Sequence, residues 1–197
     1  MKILGIYGSP RKDGNTSILL KELLKGAKEK GAKTTEIFIC DLHILPCIED
    51  YSCAQTGKCC LQDDMQGIYT QLIEHDHIVV AAPIFFYSVN AQTKALIDRS
   101  QAFWARKYIL KQPIGGRRIK RKGVFISVGA TKGSKLFDGT LLTMKYFFDV
   151  LDADFFKSLL YKSIDAKGDI LKHPTALKES YELGQHLTTE DAEDKYS

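Results

Sequence analysis

The sequence predicts an α/β fold in which one parallel, five-stranded sheet is covered by helices on both faces. Two observations carry this prediction. Short, continuously apolar runs alternate along the chain with longer segments whose apolar residues recur at helical spacing. The short runs lack the polar–apolar alternation of a half-exposed strand, which is typical of parallel strands that are buried on both sides. Five such strands, each followed by a helix, describe a three-layer, doubly wound sheet.

The predicted elements follow one another in simple alternation. Strands are expected at residues 3–7, 34–39, 77–82, 124–128 and 155–161. Helices are expected at residues 16–30, 65–74, 91–106, 136–151 and 176–187. The first helix has its leucines on one face and ends at Gly31, a residue suited to a C-terminal cap. We expect one domain over residues 1–190 and a flexible, polar tail over residues 191–197.

The composition is typical of a globular protein. Apolar residues make up 44% and charged residues 26% of the 197-residue chain, which argues against a disordered or membrane-embedded chain. The longest apolar run, residues 78–87, is too short to span a bilayer. Residues 1–7 lack the long apolar region and cleavage site of a secretory signal. We therefore expect a cytoplasmic protein that has no membrane partner.

Basic residues are scattered along the chain except for one cluster, and the net charge is +4. The cluster consists of Arg117, Arg118, Lys120, Arg121 and Lys122. Such a cluster can contact nucleic acid or an acidic partner, but a solvated loop before a strand is the simpler interpretation. We therefore expect no nucleic-acid partner.

The segment after the first strand has the features of an anion site. In a doubly wound sheet, ligands bind beyond the carboxyl ends of the strands, where the strand order reverses. Residues 8–17 lie there, contain Gly8 and Gly14, and lead into a helix whose first N–H groups are unpaired. Further donors to a phosphate are the side chains of Ser9, Arg11, Asn15, Thr16 and Ser17. An ordinary polar turn capped by Asn15 or Thr16 is the alternative.

Two other phosphate-binding motifs are excluded by the same segment. A nucleoside-triphosphate loop needs lysine after its second glycine, but Asn15 follows Gly14 here. The dinucleotide fingerprint Gly-x-Gly-x-x-Gly is absent as well. A single terminal phosphate therefore remains as the ligand group, and this suits FMN better than ATP, NAD or FAD.

Four motifs along the chain are found together, namely Gly8-Ser9-Pro10-Arg11, Gly14-Asn15-Thr16, Pro83 and Lys94-Ala95-Leu96-Ile97-Asp98-Arg99. In combination they resemble the NADPH-dependent FMN reductase superfamily over residues 1–150, and the cysteine spacing resembles its iron-sulfur flavoprotein branch. The flavodoxin-like strand order 2-1-3-4-5 fits five strands best. The resemblance implies that FMN binds at its phosphate through Ser9, Arg11, Asn15, Thr16 and Ser17.

Two further segments are candidates for contact with the flavin ring. The resemblance assigns the isoalloxazine wall to residues 83–88, which include Pro83, Ile84, Phe85, Phe86 and Ser88. A flavin ring needs an apolar wall and nearby backbone donors. Gly129 and Ala130, in the turn after the fourth strand, can also approach the ring closely. Core or interface aromatics in the first segment, and a plain turn in the second, are the alternatives.

Four of the five cysteines lie between Cys47 and Cys60. Iron-sulfur flavoproteins carry Cys-x-x-Cys-x-x-Cys-x5-Cys in this loop, but here Asp50 occupies the second position, between Cys47 and Cys53. A carboxylate is a poor ligand for cluster iron, and Cys60 directly follows Cys59. We therefore expect no metal. A loop that shields the flavin is favoured, and a redox-active pair such as Cys53 with Cys59 stays open.

The favoured function is an FMN-dependent oxidoreductase. NAD(P)H or another donor reduces FMN, which passes electrons to a small acceptor such as a quinone or free flavin. No general acid or base is expected among the side chains, because the flavin carries the redox chemistry itself. An electron carrier of the iron-sulfur flavoprotein type is the alternative, although a net charge of +4 is unlike acidic carriers. A flavin-bearing redox sensor is a third hypothesis.

We also expect a homodimer or a dimer of dimers. Residues 91–110 carry more large apolar side chains than one helical face can bury, namely Phe103, Trp104, Tyr108, Ile109 and Leu110. Aromatic residues are enriched at interfaces, and relatives complete the flavin pocket across one.

Overall fold

The computed structural model describes residues 1–114 and 120–189. The strands in this part of the chain are β1 (Lys2–Tyr7), β2 (Lys33–Phe38), β3 (His77–Ala81), β4 (Ile84–Phe85), β5 (Ser88–Val89), β6 (Arg121–Gly129) and β7 (Ala153–Lys162). β4 and β5 form a short antiparallel hairpin. The other five strands form one parallel sheet in the order β2-β1-β3-β6-β7. The predicted fold and strand order are thus confirmed.

Strand β1 lies at the point where the strand order reverses. Its last residue, Tyr7, is opposite Phe38 of β2 on one side and Ala81 of β3 on the other. β2 therefore extends the sheet in one direction, and β3, β6 and β7 extend it in the other. The loops that follow β1, β3 and β6 consequently meet at the carboxyl edge of the sheet.

The helices are close to their predicted positions. They are α1 (Asn15–Glu29), α2 (Cys53–Thr56), α3 (Met65–Glu74), α4 (Ala91–Arg99), α5 (Gln101–Trp104), α6 (Asp138–Val150) and α7 (Ala176–His186). A π-helical turn, Ala105–Ile109, follows α5. The helix predicted at 91–106 is divided at Ser100, whose hydroxyl donates to the carbonyl of Leu96 at 3.1 Å. Such a bond to the residue four positions earlier is known to bend helices.

The sheet separates two apolar cores. One core packs α1 and α7 against the sheet, with Leu19, Leu23 and Leu183 among its buried residues. The other core lies under α3, α4 and α6, and it contains Leu72 and Phe148. These are the two covered faces that the continuously apolar strands predict.

The aromatic residues after α4 divide between core and surface. Phe103 is buried, and its ring meets that of Tyr69 edge-on at 5.3 Å between centroids. Trp104, Tyr108 and Ile109 are exposed in this single chain. Part of the apolar surface expected for an interface therefore belongs to the protein's own core.

The basic cluster is not simply a solvated loop, contrary to the expectation. Arg121 and Lys122 are buried in β6. The Arg121 guanidinium donates to three main-chain carbonyl groups, those of Leu72, His75 and Leu151. Arg117, Arg118 and the predicted tail at 191–197 lie outside the described residues.

Within the described residues, we find no helix with the length and apolar character that a membrane crossing requires.

Candidate functional site

A cavity of about 160 Å³ lies at the carboxyl edge of the sheet, where the strand order reverses. Its walls come from the loop after β1, the start of α1, the β4 hairpin, the turn after β6 and the loop after β7. The lining residues are Ser9, Pro10, Arg11, Gly14, Asn15, Thr16, Pro83, Ile84, Phe85, Val128, Gly129, Ala130, Ile164 and Asp165. This is the position at which doubly wound sheets bind their ligands.

The phosphate loop, residues 8–17, leaves the start of α1 open. Gly14 is the N-cap of α1 and, having no side chain, makes no capping hydrogen bond. The first N–H groups of a helix lack partners within the helix, and they carry the positive end of its dipole. Because Asn15 and Thr16 line the cavity, this helix end borders it directly. The arrangement fits an anionic group such as a phosphate.

The side chains of the loop supply further donors beside that helix end. The Ser9 oxygen accepts the N–H of Arg11 at 3.1 Å, which leaves the Ser9 hydroxyl proton free to donate. Arg11 is exposed, and in the described part of the chain no carboxylate pairs with it. The Ser17 hydroxyl instead donates to the Arg11 carbonyl at 3.2 Å. Ser17 therefore shapes the loop, while Ser9 and Arg11 line the cavity.

The beginning of the loop is fixed by Asn90, the residue that precedes α4. Its Nδ2 donates to the carbonyl of Gly8 at 2.7 Å, and its Oδ1 accepts the hydroxyl of Thr93 at 2.8 Å. The Gly8 N–H in turn donates to Ala81 of β3 at 2.8 Å. A Cβ atom at Gly8 would lie 2.2 Å from Thr93 Oγ1. Only glycine therefore fits at this close approach.

Asn15 has a different role from the one the sequence suggests for its side chain. Its Oδ1 accepts the N–H groups of Gly168 and Ile170 at 2.9 and 3.3 Å, and its Nδ2 donates to the carbonyl of Ala166 at 2.9 Å. These bonds hold the loop after β7 against α1. The loop in turn places Asp165 in the cavity wall.

The β4–β5 hairpin forms the apolar wall. Pro83, Ile84 and Phe85 line the cavity. The two turn residues, Phe86 and Tyr87, have φ values of 48° and 61°, which bulky residues rarely adopt. This turn directs Phe86 wholly into solvent, with 103% of its reference surface exposed. Strained turns of this kind persist where the surrounding structure holds them, often at functional sites.

The structure brings nine of the predicted site residues together around this cavity and leaves three outside its wall. The nine are Ser9, Arg11, Asn15, Thr16, Pro83, Ile84, Phe85, Gly129 and Ala130. Outside it are Ser17, Phe86 and Ser88. Sequence reasoning missed Ile164 and Asp165, although they follow the last strand of the sheet and so reach the same edge.

A second and larger cavity, of about 550 Å³, lies between the cysteine loop (residues 47–60) and helices α4 and α5. Four cysteines line it: Cys47, Cys53, Cys59 and Cys60. All of them are free thiols. Lys94, Asp98 and Arg99 of α4 form the opposite wall. These cysteines are close together in the sequence, and in the structure all four line one cavity.

A buried ion pair holds the base of the cysteine loop. Arg99 Nη1 lies 2.6 Å from Asp63 Oδ2, and both side chains are almost wholly inaccessible to solvent. Arg99 also donates to the carbonyls of Leu45 and Leu61, one on each limb of the loop. Burial alone would raise the pKa of Asp63, but the hydrogen bonds from Arg99 and from Leu45 N–H outweigh it and lower that pKa. Asp63 is therefore ionised at neutral pH.

Asp50, which occupies the second cysteine position of the motif described above, is hydrogen-bonded within the loop. Its carboxylate accepts the N–H and hydroxyl of Ser52 at 3.4 and 3.2 Å. Hydrogen bonds from the Cys60 thiol and from Ser52 lower the pKa of Asp50. The same carboxylate raises the pKa of the Cys60 thiol. Asp50 therefore accepts hydrogen bonds within the loop, and its charge opposes ionisation of the Cys60 thiol.

A doubly wound sheet with an open helix end at its reversal point, an apolar hairpin beside it and a small-residue turn opposite defines a flavodoxin-like protein. The chain belongs to the NADPH-dependent FMN reductase family, whose model matches residues 1–141.

The chain is similar to one relative in sequence and to two solved structures in fold. An iron-sulfur flavoprotein of Methanocaldococcus jannaschii is 36% identical over 132 residues, which cover 67% of this chain and 64% of that protein. The chain thus spans somewhat less than two thirds of that relative. The NAD(P)H:quinone oxidoreductase from Methanothermobacter marburgensis has a TM-score of 0.70 at 14% identity, covering 95% of this chain and 98% of that one. An FMN-dependent NADH-azoreductase from Bacillus anthracis has a TM-score of 0.67 at 15% identity, covering 96% and 100%.

Proposed function

We propose that the chain is an FMN-dependent oxidoreductase, formed by one domain at residues 1–190. It passes electrons from NAD(P)H, through bound FMN, to a small acceptor such as a quinone or free flavin. One observation carries the proposal. An uncapped α1 terminus and an apolar hairpin line the same cavity, which lies where the strand order of the sheet reverses. An azoreductase of this fold is described in complex with FMN, and a quinone reductase shares the fold.

The residues of the cavity fit the parts of FMN. The open N–H groups of α1, the Ser9 and Thr16 hydroxyls and the Arg11 guanidinium would hold the phosphate. Asn15 keeps its side chain on the loop after β7, so we assign it a main-chain contact to the phosphate. Bound FMN would supply hydride acceptance at N5 and onward transfer of electrons.

The remaining walls suit the ring system. Pro83, Ile84 and Phe85 form an apolar surface on which an isoalloxazine ring can lie. Gly129 and Ala130 carry no large side chain and allow a close approach of the ring from the β6 side. No side chain needs to act as a nucleophile, general acid or general base, and we assign none to these roles.

Turnover with a generic acceptor tests the activity. FMN-loaded protein should oxidise NADPH or NADH steadily in the presence of menadione, faster than the same concentration of free FMN. Oxidation no faster than with free FMN, for both nicotinamides and for several quinones, would contradict a reductase. Flavin content is measured in parallel, so that loss of cofactor is not mistaken for loss of activity.

An electron carrier of the iron-sulfur flavoprotein type is the second candidate. One observation favours it, namely that four cysteines line a single cavity, as expected if this loop descends from a cluster-binding one. Iron and acid-labile sulfide near four per chain after anaerobic reconstitution would promote this candidate. Near-zero iron with intact flavin would support the reductase.

We also propose a homodimer or a dimer of dimers. Trp104, Tyr108 and Ile109 are exposed near one another, with the Trp104 and Tyr108 rings 5.9 Å apart between centroids. Exposed aromatic clusters of this kind mark interfaces.

Light scattering at micromolar concentration should give at least the mass of a dimer, and Trp104→Arg should reduce the measured mass. Leu171→Arg, at another exposed apolar residue, is the control. A monomeric wild-type protein would contradict the proposal.

A further inference from the structure

The cysteine loop does not fit the cluster that the name of the relatives implies. A [4Fe–4S] cluster is ordinarily held by four thiolates. Here Asp50 stands at one ligand position, and its carboxylate already accepts hydrogen bonds from the N–H and hydroxyl of Ser52. Among residues 1–114 and 120–189, no three histidine, cysteine or acidic side chains are grouped so that they could hold a metal ion. The thiols of the loop therefore need another explanation.

The backbone of the loop places two of these cysteines on either side of one turn. Helix α2 is a single turn, Cys53–Thr56, and its C-cap is Gly57, where φ is +68°. The Gly57 N–H donates to the Cys53 carbonyl at 2.8 Å, so the chain reverses at that point. The Thr56 hydroxyl bonds to the main chain on both sides of this reversal. Cys59 follows the reversal by two residues and lines the same cavity as Cys53.

The second of these cysteines is fixed from outside the turn. The Gln66 side chain donates to the carbonyls of Cys59 and Leu61 at 3.3 and 2.7 Å. The buried Arg99–Asp63 pair holds the same limb of the loop. The position of Cys59 is therefore set by α3 and α4, whereas that of Cys53 is set by the turn.

Position along the loop distinguishes the possible pairs. Cys53 and Cys59 flank one turn, whereas Cys47 lies on the other limb of the loop. Burial raises the pKa of the Cys53 thiol, and Cys59 and then Cys47 raise it further. Asp50 raises the pKa of Cys60. The pairing that the backbone favours is thus Cys53 with Cys59.

We propose that Cys53 and Cys59 form a dithiol/disulfide couple that exchanges with small disulfides in the 550 Å³ cavity. In the first step one thiolate of the pair attacks a disulfide R–S–S–R′, whose S–S bond breaks, and R′–S⁻ leaves and is protonated. In the second step the other thiolate attacks the protein sulfur of the mixed disulfide, and R–S⁻ leaves. Two electrons pass to the small disulfide, which yields two thiols, and the protein keeps a Cys53–Cys59 disulfide.

Thiol counting with mass spectrometry tests the couple on the full chain. Protein purified without oxygen and reduced with dithiothreitol should show five free thiols, in agreement with its five cysteines. Oxidised glutathione should then remove about two of them and lower the mass by about 2 Da, and dithiothreitol should reverse both changes. Peptide mapping of the oxidised protein should find Cys53 joined to Cys59.

Matched variants separate this pair from the other cysteines. Cys53→Ser and Cys59→Ser should each abolish the loss of 2 Da and leave a glutathione adduct on the remaining partner. Cys40→Ser, outside the cavity, and Cys47→Ser, on the other limb, should keep the two-thiol loss. If a variant does not fold, the peptide map of the oxidised wild-type protein decides the pairing alone.

Several outcomes would overturn the couple. These are a disulfide that joins another pair, an unchanged thiol count across glutathione redox buffers, or about four iron atoms per chain that are lost in Cys53→Ser. The couple is measured equally well on flavin-free protein. Its failure is therefore distinguishable from a failure of the proposed FMN-dependent activity, which is judged from bound flavin and NADPH oxidation.

Discussion

The cofactor cavity and the cysteine loop are stabilised by different means. The phosphate loop is tied by its own backbone to the sheet, through the bond from Gly8 N–H to the Ala81 carbonyl at 2.8 Å. The cysteine loop makes no strand pairing with the sheet, and between residues 41 and 62 only Gly57 is buried. Its limbs are held by side chains, chiefly the Arg99–Asp63 pair.

Because of this difference, the two regions should respond differently to substitution. Strand order sets the position of the cofactor cavity, and its walls offer a helix end and several separate donors, so the loss of one donor should lower affinity only in part. The cysteine loop depends on one buried ion pair, and loss of one partner leaves the other charge buried and unpaired. We therefore expect large, local stability effects in the loop and moderate, ligand-specific effects in the cavity.

The largest effect is expected when the buried pair is broken. Arg99→Met leaves Asp63 without its cation in a solvent-free position and should lower the free energy of unfolding by about 3–5 kcal/mol. Lys94→Met removes the exposed Lys94–Asp98 pair of the same helix and should cost about 0.5 kcal/mol or less. Urea unfolding measures both variants, and equal losses would refute the contrast.

A moderate, ligand-specific effect is expected at Arg11. Arg11→Ala removes a charged donor from the cavity wall and should weaken FMN binding by about 1.5–3 kcal/mol, without changing the stability of the flavin-free protein. Lys12→Ala removes the neighbouring cation, which pairs with Asp41 and does not line the cavity, so affinity should stay nearly constant. Fluorescence titration with FMN measures the affinity of both variants. An unchanged affinity in Arg11→Ala would show that Arg11 does not belong to the site.

A steric effect of similar or smaller size is expected at the start of the phosphate loop. Gly8→Ala places a methyl group against Thr93 Oγ1 and should cost about 1–3 kcal/mol of stability, together with flavin affinity. Gly67→Ala is the control, because a Cβ there meets nothing within 4 Å and helix α3 gains a better helix former. A Gly8→Ala protein as stable as wild type would contradict the close packing at Asn90 and Thr93.

The last effect concerns the same buried pair and is confined to acid conditions. The pKa of Asp63 is lower in the folded protein than its unfolded value of about 3.9, so its contribution to stability is complete above pH 4 and is lost as pH falls through the folded pKa. Asp63→Asn should therefore flatten the decline in the free energy of unfolding below pH 4. Parallel pH profiles for wild type and variant would show that Asp63 does not carry this dependence.

Most of the fold and much of the cavity follow from the sequence. The apolar runs locate the central strands β1, β3 and β6 because strands buried on both faces contain few polar residues. The edge strands β2 and β7 lie close to their predicted positions but are only partly buried, so the expectation that all five strands are covered on both faces is wrong for these two. The phosphate loop is recognisable because glycines, hydroxyls and a helix start occur together. Its location at the reversal point of the sheet is then a consequence of topology.

The features that sequence reasoning missed depend on contacts between distant residues. Asn15 bonds to residues more than 150 positions away, and no local pattern reveals such a pairing. Arg121 is a buried structural cation, although a basic cluster indicates exposure. Phe86 turns away from the cavity because its backbone has a positive φ, which its residue type does not suggest.

The identity of the bound flavin tests the central claim most directly. Pigment released by heat from freshly purified protein, or from protein reconstituted with a mixture of FMN and FAD, is separated by chromatography and quantified per chain. The open α1 terminus, in a loop suited to a single terminal phosphate, predicts FMN at close to one per chain, with FAD excluded. Bound FAD, or no flavin after reconstitution, would contradict the account.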